Sequence, residues 1–480
     1  MDEDFGIFPK WPGKILRLFL NQKYHEELEG DLEEVYWQYK KQYSNAKLNT
    51  MLIWEIARLL RPILLKSISI DRLTSGRHML KSNFKTSLRV FGRNKAYTLI
   101  NILGLTLGLA IALMTLQYVR FELSYENKIP SVGQVMRITL DLLNAGTVVD
   151  QDAQTYHPVG PRIQAEFPEV ENFTRALSVK ETTVRVGDEF LKGTGLLAVD
   201  TSFLQMFGYT LRHGNPSSVF RGPDEAILTR SQAMNFFGKE NAVGESFWLS
   251  TVDRYLRVTG IVEDPPVNSH LRFSMLIPYS AIKPYVDEAG WRENNTYTYV
   301  RLKDGVPLST LANNLEVLSK RLNAENRMAN EKLVAQPVAD IHLHSHKSFE
   351  MDQNGDASSV YFLFGVALLV IVIAMLNYIN LATSKSLDRA KEVGIRKVTG
   401  STVAQLRTQF FTESLLINGF AGMCAIVLMT LLQPAFKNIS GLPSSFSFYG
   451  DPLFWWMLGA AVIAGGLLAG SFPAIILSSF

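Results

Sequence analysis

The sequence predicts a membrane protein with four transmembrane α-helices and a large α+β extracytoplasmic domain between the first and second helices. Three observations predict this architecture. Four intervals without a charged residue are long enough to cross a bilayer, which takes about 20 apolar residues. The stretch between the first two intervals mixes alternating, strand-like runs with helical ones. The basic residues cluster beside the apolar intervals.

Each transmembrane helix is predicted from one charge-free interval, because a helix satisfies its own backbone hydrogen bonds in lipid. The stretch Met51–Ile70 is not counted, since it contains Glu55, Arg58 and Arg61, which are costly at mid-bilayer. It is interpreted as an amphipathic helix. The four intervals lie between Lys95 and Arg120, between Asp356 and Lys385, between Glu413 and Lys437, and between Asp451 and the C-terminus.

The orientation of these helices follows from their basic flanks. Lys and Arg are frequent in residues 81–95, before the first helix, and in residues 385–407, between the second and third, and such flanks stay in the cytoplasm. Residues 120–357 and the loop 433–452 are then outside, and both termini are cytoplasmic. The acidic N-terminus lacks the features of a cleaved signal peptide, which agrees with this orientation. Leu80–Tyr97 is predicted to be an amphipathic helix in the membrane interface.

Small residues recur at a four-residue spacing in two of the helices, as Gly104 and Gly108 in the first and Gly466 and Gly470 in the fourth. This spacing lets two helices approach closely, so the glycines are interpreted as helix-packing surfaces, although the pattern also arises by chance. Cys424, the single cysteine, lies inside an apolar interval and is interpreted as a packing residue.

Two soluble regions accompany the helices. Residues 11–70 show helical periodicity and are expected to form a small cytoplasmic module, whose acidic stretch Glu26–Glu34 is either a solvated face or a contact for a protein partner. Residues 120–357 are too many for a loop and are expected to fold independently. Their strand-like runs are 182–186, 255–262 and 297–302, and their helical runs are 158–167, 231–237 and 308–322.

No residue pattern assembles a catalytic site. The sequence has no Gly-x-x-x-x-Gly-Lys-Ser/Thr, Gly-x-Ser-x-Gly or paired Cys-x-x-Cys motif, so an enzyme is the weaker class and no cofactor is expected. His342, His344 and His346 would share one strand face, but neighbours there lie about 7 Å apart, so a partly exposed strand is favoured over a metal site. The net charge of +3 does not indicate a nucleic-acid partner. The spans carry no charged residue for ion coupling, so energy for transport has to come from elsewhere.

The loop between the second and third helices carries the most informative pattern. Residues 389–400 read Arg-Ala-Lys-Glu-Val-Gly-Ile-Arg-Lys-Val-Thr-Gly, and residues 409–416 read Gln-Phe-Phe-Thr-Glu-Ser-Leu-Leu. Both resemble stretches of the macrolide-exporter (MacB) and FtsX-like family of ABC transporter permeases. Residues 94–105 resemble that family's approach to its first helix, residues 121–126 the exit from it, residues 264–273 a motif of its periplasmic core, and residues 12–60 its permease prefix module.

The resemblance implies a multi-pass protein of the bacterial inner membrane with four parts. These are a cytoplasmic helical permease prefix domain at 1–75, an amphipathic helix and the first transmembrane helix at 76–119, a MacB-like periplasmic core domain at 120–357, and an FtsX-like permease domain with helices two to four at 358–480.

The resemblance also implies that the loop 384–407 contains a coupling helix that docks on the ATP-binding subunit of the transporter, a separate chain. A basic amphipathic helix can dock in this way while its charges stay hydrated, although the same charges could serve only to fix the topology. Nucleotide-driven closure of the cytoplasmic dimer would then move the periplasmic domain, which is termed mechanotransmission. The residues expected to make or shape the contact are Arg389, Glu392, Gly394, Arg396, Lys397 and Gly400, with the two glycines as helix breaks.

Three functions remain open from the sequence. They are export or extraction of a hydrophobic compound, peptide or lipoprotein, activation of a periplasmic cell-wall hydrolase, and an outer-domain receptor without an ATPase. The partners expected are an ABC-type ATP-binding subunit, a second permease unit, a periplasmic adaptor or membrane-fusion protein, and the lipid bilayer. Relatives with the prefix module usually contain a second four-helix unit, so a chain ending at Phe480 is expected to be either a natural half-size form or truncated.

Overall fold

The computed structural model describes residues 25–40, 51–52, 84, 87, 89, 92 and 95–479. Side chains are described except at 25–29, 385–392, 396 and 472–479. Most of the predicted prefix module and most of the amphipathic stretch before Lys95 therefore lie outside the described residues. The helices are α1 (His25–Lys40), α2 (Lys95–Glu122), α3 (Val159–Glu166), α4 (Phe203–Phe207), α5 (Arg230–Phe237), α6 (Lys283–Ala289), α7 (Leu308–Ala324), α8 (Ile341–His344), α9 (Ala357–Val398), α10 (Val403–Ser440) and α11 (Pro452–Ser479).

The four predicted spans are confirmed as helices that are long and apolar enough to cross a membrane. They are Lys95–Glu122, Ala357–Ser384, Val403–Ser440 and Pro452–Ser471. Two of the helices extend further than predicted. The second, α9, continues to Val398, so much of the predicted loop 384–407 is helical, and α10 runs through Pro434 to Ser440, which shortens the loop predicted at 433–452.

The chain divides into two compact units. One comprises residues 1–105, 375–422 and 461–480, and the other comprises residues 106–374 and 423–460. Each of the four long helices contributes one end to each unit. The second unit therefore holds the end of α2, the start of α9 and the whole sheet domain between them.

An eleven-stranded mixed sheet forms the large domain between α2 and α9, which confirms the predicted architecture. The strand order is β11-β1-β10-β3-β4-β9-β6-β8-β5, β2 pairs with β1, and β7 pairs with β3 and β8. Its pairs are antiparallel except β4 with β9 and β6 with β8. The strands are β1 (Val135–Asn144), β2 (Thr147–Asp152), β3 (Val170–Val186), β4 (Glu189–Val199), β5 (Leu211–Gly214), β6 (Glu225–Thr229), β7 (Ser246–Leu249), β8 (Arg254–Val262), β9 (Met275–Pro278), β10 (Tyr297–Leu302) and β11 (Glu331–Pro337).

Strand β1 is buried on both faces, and the two faces differ in polarity. Ile138 and Leu140 pack on one face in the same core as residues of α3 and α7. Successive side chains of a strand point to opposite faces, so Arg137, Thr139 and Asp141 share the other face, where all three are buried. A buried charged residue needs a partner, and this face of β1 therefore marks a place where polar contacts are built.

The strand predicted for the three histidines is wrong, because Ile341–His344 is a helical turn. Val338 and Ile341, three residues apart, are both fully buried in one core cluster, which a helical turn allows and a strand does not. His342 is buried, whereas His344 and His346 are exposed. Among the described residues, no group of three or more His, Cys, Asp or Glu side chains is placed to hold a metal ion.

Candidate functional site

The chain leaves α2 through a short turn that ends at Glu126. The Ser124 hydroxyl donates to the carbonyl oxygen of Phe121 at 2.7 Å, which satisfies one of the free carbonyls at the helix end. Glu126 follows in the left-handed conformation with a φ of 62°. That conformation costs a residue other than glycine about 1–3 kcal/mol, so the surrounding contacts must hold it.

The buried Glu126 carboxylate accepts three hydrogen bonds from one loop of the sheet domain. Ser269 Oγ donates at 3.0 Å, the His270 backbone N–H at 2.5 Å and His270 Nδ1 at 2.8 Å. The backbones are joined as well, because the Glu126 N–H donates to the Asn268 carbonyl at 3.1 Å and Asn268 Nδ2 donates to the Ser124 carbonyl at 2.7 Å. We call Ser124, Glu126, Asn268, Ser269 and His270 the first clamp.

The first clamp is anchored in the sheet through His270. Its Nε2 shares a hydrogen bond of 2.9 Å with the hydroxyl of Tyr299, a fully buried residue of β10. Burial alone would raise the pKa of Glu126, but the charge of His270 and the hydrogen bonds from His270 and Ser269 lower that pKa below its usual value. The carboxylate therefore stays ionised in a buried site and holds the end of α2 on the sheet.

The chain entering α9 is bound to the sheet by Arg137. The guanidinium group of Arg137 is fully buried and donates to both oxygens of Glu350, at 2.5 and 2.7 Å. It also donates to Gln336 Oε1 at 2.7 Å and to Ser345 Oγ at 3.0 Å, and the Ser345 hydroxyl donates to Glu350 at 2.5 Å. We call Arg137, Gln336, Ser345 and Glu350 the second clamp.

Charge and register both fix the second clamp. Burial alone would raise the pKa of Glu350, but the hydrogen bonds and charge of Arg137 lower it below its usual value. Arg137 lies opposite Tyr299 of β10 on one side and Gln336 of β11 on the other. The residue therefore lies on the middle one of three paired strands.

Together the clamps fasten two different helices to one sheet. The first reaches Tyr299 on β10 and the second starts from Arg137 on β1, and these two residues are directly opposite each other. A buried network of charged hydrogen bonds is worth most in one geometry, and breaking it leaves an uncompensated charge. The two clamps therefore hold the end of α2 and the chain entering α9 in defined positions on the sheet.

The predicted coupling segment folds as the end of α9, a tight turn and the start of α10. Gly400 makes the turn with a φ of 97°, a conformation that favours glycine. Thr402 then caps α10, because its N–H donates to Gln405 Oε1 at 2.9 Å and its Oγ1 accepts from the Gln405 N–H at 3.3 Å. This reciprocal pair is a capping box, and it stops the turn from becoming a long flexible loop.

The prediction that Gly394 breaks the helix is wrong, because α9 continues through it. Glycine costs a helix about 1 kcal/mol relative to alanine. The neighbouring residue Val393 is buried against Leu406 and Phe410 of α10, which offsets that cost. Lys397 is half-buried, and the side chains of Arg389, Glu392 and Arg396 lie outside the described part of the chain.

The four glycines of the predicted packing surfaces each face a neighbouring helix closely. Gly104 and Gly108 face α9, and Gly466 and Gly470 face α10, so a larger residue would displace the neighbouring helix at Gly108 and Gly470 and would tighten the contact at Gly104 and Gly466. From a Cβ placed on each glycine, the distances are 3.3 Å for Gly104 to Asn377 Nδ2, 2.5 Å for Gly108 to Ala374 Cβ, 3.1 Å for Gly466 to Leu415 Cα and 2.7 Å for Gly470 to Phe411 Cδ1.

Two family models match the chain over separate ranges. The model described as a MacB-like periplasmic core domain matches residues 98–318, and the model described as FtsX-like permease C-terminal matches residues 364–480. The chain therefore carries both parts of a MacB/FtsX-like ABC permease. The two matches confirm the resemblance, and together with the four apolar helices they indicate a multi-pass inner-membrane protein. The first clamp of this permease lies within the MacB-like match, whereas Glu350 of the second clamp lies between the two matches.

Curated relatives of this permease are named macrolide export ATP-binding/permease protein MacB. The one from Pasteurella multocida is 20% identical over 82% of this chain, which spans 58% of that relative. The one from Vibrio parahaemolyticus is 22% identical over 64% of this chain and 44% of that relative. The permease thus spans about three fifths or less of the length of these relatives.

Solved structures include parts of similar proteins. A domain of a permease protein from Porphyromonas gingivalis is 22% identical and has a TM-score of 0.39, over 49% of this chain and 98% of that domain. The periplasmic region of MacB from Actinobacillus actinomycetemcomitans is 17% identical and has a TM-score of 0.34, over 45% of this chain and 92% of that region.

Sequence reasoning missed both clamps. It identified residues 121–126 and 264–273 as separate motifs, and gave no sign that Glu126 and His270, 144 residues apart, bind each other. Arg137 did carry a signal, because it alternates with apolar residues in the run 135–143, which also contains Asp141, and a charged residue in such a strand is expected to need an oppositely charged partner. Which carboxylate it binds could not be read from the sequence.

Proposed function

We propose that this permease is the non-catalytic membrane subunit of an ABC transporter, in which ATP hydrolysis by a separate ATP-binding subunit moves the periplasmic core domain. The movement exports or extracts a hydrophobic compound, a peptide or a lipoprotein. One observation carries the proposal: both α2 and α9 are fastened to a single sheet by buried ionic clamps, so the helices and the core domain can move as one mechanical element.

The proposed topology follows from the helices. The end of α2 and the start of α9 lie on the periplasmic side with the core domain at 120–357, and both chain termini are cytoplasmic. The prefix domain at 1–75 then lies in the cytoplasm, the stretch 76–119 leads into and through the membrane, and the FtsX-like domain at 358–480 returns the chain. The basic flanks of the helices support this orientation.

The cytoplasmic end of α9 is the proposed docking surface for the ATP-binding subunit. Ile395 and Val398 in this segment are 66% and 90% exposed, and an apolar helix end beside basic residues suits a cleft in a soluble partner. Exposure here contrasts with Val393, which faces α10. The proposed contact residues are Arg389, Glu392, Gly394, Arg396, Lys397 and Gly400.

Two further partners belong to the proposal. A second permease unit, either a second copy or a second half, completes the membrane part, because one ATP-driven closure needs two permease units to bring together. A periplasmic adaptor or membrane-fusion protein receives the cargo outside. Packing within each permease unit is provided by the close approach of helices at Gly104 and Gly108 and at Gly466 and Gly470.

Charge reversal at the docking surface tests the proposal. The double variant Arg396→Glu and Lys397→Glu is expected to lose the ATP-binding subunit when the tagged full chain is purified from its host membranes, with at least a tenfold loss of co-purified ATPase activity. The matched control, Arg396→Lys with Lys397→Arg, keeps the charges. It is expected to retain both the ATP-binding subunit and the co-purified ATPase activity. Undiminished ATPase activity with the reversed charges would contradict the proposal, as would wild-type protein that activates a cell-wall hydrolase without any ATPase partner.

A further inference from the structure

We propose that Glu122, His342 and Gly355 form a latch that joins the outer end of α2 to the start of α9, so that the two helices transmit movement as one body. The inference rests on the proposed function, because it names the residues that position the two helices for it. The clamps join each helix to the sheet. The latch joins the helices to each other.

The central contact of the latch is a buried carboxylate–imidazole pair. Glu122 is the last residue of α2, and His342 lies on α8, 220 residues further along the chain. His342 Nε2 and Glu122 Oε2 are 2.7 Å apart, and the two side chains are 5% and 9% exposed. A carboxylate buried to this degree is stable only with hydrogen-bond partners, so the pair holds the end of α2 at a fixed distance from α8.

Gly355 packs directly against this pair. A Cβ at Gly355 would lie 2.7 Å from Glu122 Oε2, 3.1 Å from His342 Nε2 and 3.2 Å from Leu343 Cδ2. The Gly355 N–H donates to the His342 carbonyl at 2.9 Å, which keeps the backbone in this close position. A methyl group at this position would therefore displace the Glu122 carboxylate from its place beside His342.

Gly355 is separated from the start of α9 by a single residue. It is followed by Asp356, whose Oδ2 accepts from the Ser359 N–H at 2.7 Å and caps the first turn of α9. Through these contacts a displacement at Glu122 reaches α9 over a few covalent and hydrogen bonds. The latch thus gives α2 and α9 a direct connection that does not pass through the sheet.

Tyr125 covers the pair from the side of α2. Its ring is stacked on the His342 imidazole, with ring centroids 3.3 Å apart and an angle of 1° between the planes. Tyr125 also packs edge-on against Phe121, with ring centroids 5.6 Å apart. The stacking excludes water and restricts rotation of the imidazole, so the hydrogen bond to Glu122 keeps its direction.

Pulsed electron paramagnetic resonance on the full chain in lipid nanodiscs tests the latch. Spin labels are attached to cysteines at Ile111 and Phe362, which are 50% and 72% exposed, after Cys424→Ala removes the native thiol. The wild type is expected to give one narrow distance distribution. His342→Ala, which removes the pair, and Gly355→Ala, which keeps every polar group but inserts a methyl, are each expected to broaden it at least twofold.

Matched controls separate the latch from general loosening. Gly365→Ala changes a glycine of α9 that has open space around it, and Arg120→Gln breaks a partly exposed ion pair with Asp451 near the same helix end. Both are expected to leave the width unchanged. Unchanged widths with both His342→Ala and Gly355→Ala would overturn the latch. If the widths broaden but ATP does not move the core domain of the wild type, the latch stands and the proposed function fails.

Discussion

Two sets of joints on the core-domain side of the membrane helices are built in different ways. Where α2 and α9 join the sheet, the contacts are buried ionic hydrogen bonds around Glu126 and Arg137. Where α10 joins α11, aromatic rings pack against one another, and the charged pair beside them, Arg120 with Asp451, is partly exposed. The rings belong to the connecting loop and to the adjoining ends of α2 and α10, and they form edge-on and tilted pairs. Their centroids are 5.4 Å apart for Phe121 and Phe446, 5.3 Å for Phe446 and Phe448, and 5.8 Å for Phe436 and Phe448.

The joints of α2 and α9 with the sheet depend on an exact geometry, whereas the joint between α10 and α11 needs only close packing. An ionic hydrogen bond is lost when its partners shift by a fraction of its length, whereas aromatic packing tolerates small sliding movements at modest cost. The helices that carry the sheet therefore have directional joints. The joint between α10 and α11 is adaptable. Removal of a single partner is therefore expected to lower the stability of the protein much more at the clamps than at this joint.

Glu350→Ala is expected to have the largest effect. It leaves the fully buried Arg137 guanidinium without its carboxylate, which costs about 3–5 kcal/mol for a buried pair. Thermal unfolding of the full chain in detergent is expected to show a clear drop in the midpoint. Lys192→Ala, which breaks an exposed ion pair with Glu181, is the control and costs about 0–1 kcal/mol. If the unfolding midpoint fell equally for the two variants, the buried clamp would contribute no more than an exposed ion pair, which would contradict the comparison.

Glu126→Gln is expected to have an intermediate effect that depends on pH. It removes the charge that His270 and Ser269 stabilise, at about 1–3 kcal/mol near neutral pH. The pKa of Glu126 is lowered from 4.5 in the folded protein, so its contribution is fully present above pH 4.5 and is lost as the pH falls through the lowered pKa.

Unfolding midpoints of wild type and Glu126→Gln are therefore expected to differ most above pH 4.5 and to converge below it. Glu316→Gln, at an exposed glutamate that pairs with Lys320, serves as the control and is expected to stay close to the wild type throughout. A difference between wild type and Glu126→Gln that grows as the pH falls would contradict the sign of the shift.

Phe446→Leu is expected to have the smallest effect. Leucine keeps an apolar side chain that still packs against Phe121 and Phe448, so the net loss is expected at the lower end of the range for aromatic pairs, about 0.5 kcal/mol for each pair. The unfolding midpoint should fall slightly, and the ATPase activity of the complex should stay near that of the wild type. A loss as large as that of Glu350→Ala would show that the aromatic joint also requires a fixed geometry.

Local patterns predicted the helices and strands well because local physics decides them. In the charge-free run between Lys95 and Arg120, a helix is the structure that satisfies the backbone hydrogen bonds in lipid. The strand-like run 255–262 forms β8, which alternates in burial only at its start and is buried throughout residues 258–262. Tertiary contacts decided the exceptions. Ile341 and Val338 wind into a helical turn because both fill one core, and Gly394 stays helical because Val393 packs on α10.

The clamps and the latch escaped prediction for a different reason. Each joins residues between 144 and 220 positions apart, and their partners are chosen by the sheet register and by the packing of the helix ends. The motifs that contain Glu126 and His270 were visible in the sequence, but their hydrogen bonds were not. Residue patterns predict which side chains are buried, but the partners of those side chains depend on the tertiary fold.

The central claim is that the clamps transmit movement from the membrane helices to the core domain. It is tested most directly by the distance between spin labels at Val149 of the core domain and Leu431 of α10, measured in the complex with its ATP-binding subunit. The account predicts that ATP trapping shifts this distance in the wild type and that Glu126→Gln at least halves the shift while ATP hydrolysis continues. A full shift in Glu126→Gln would contradict it.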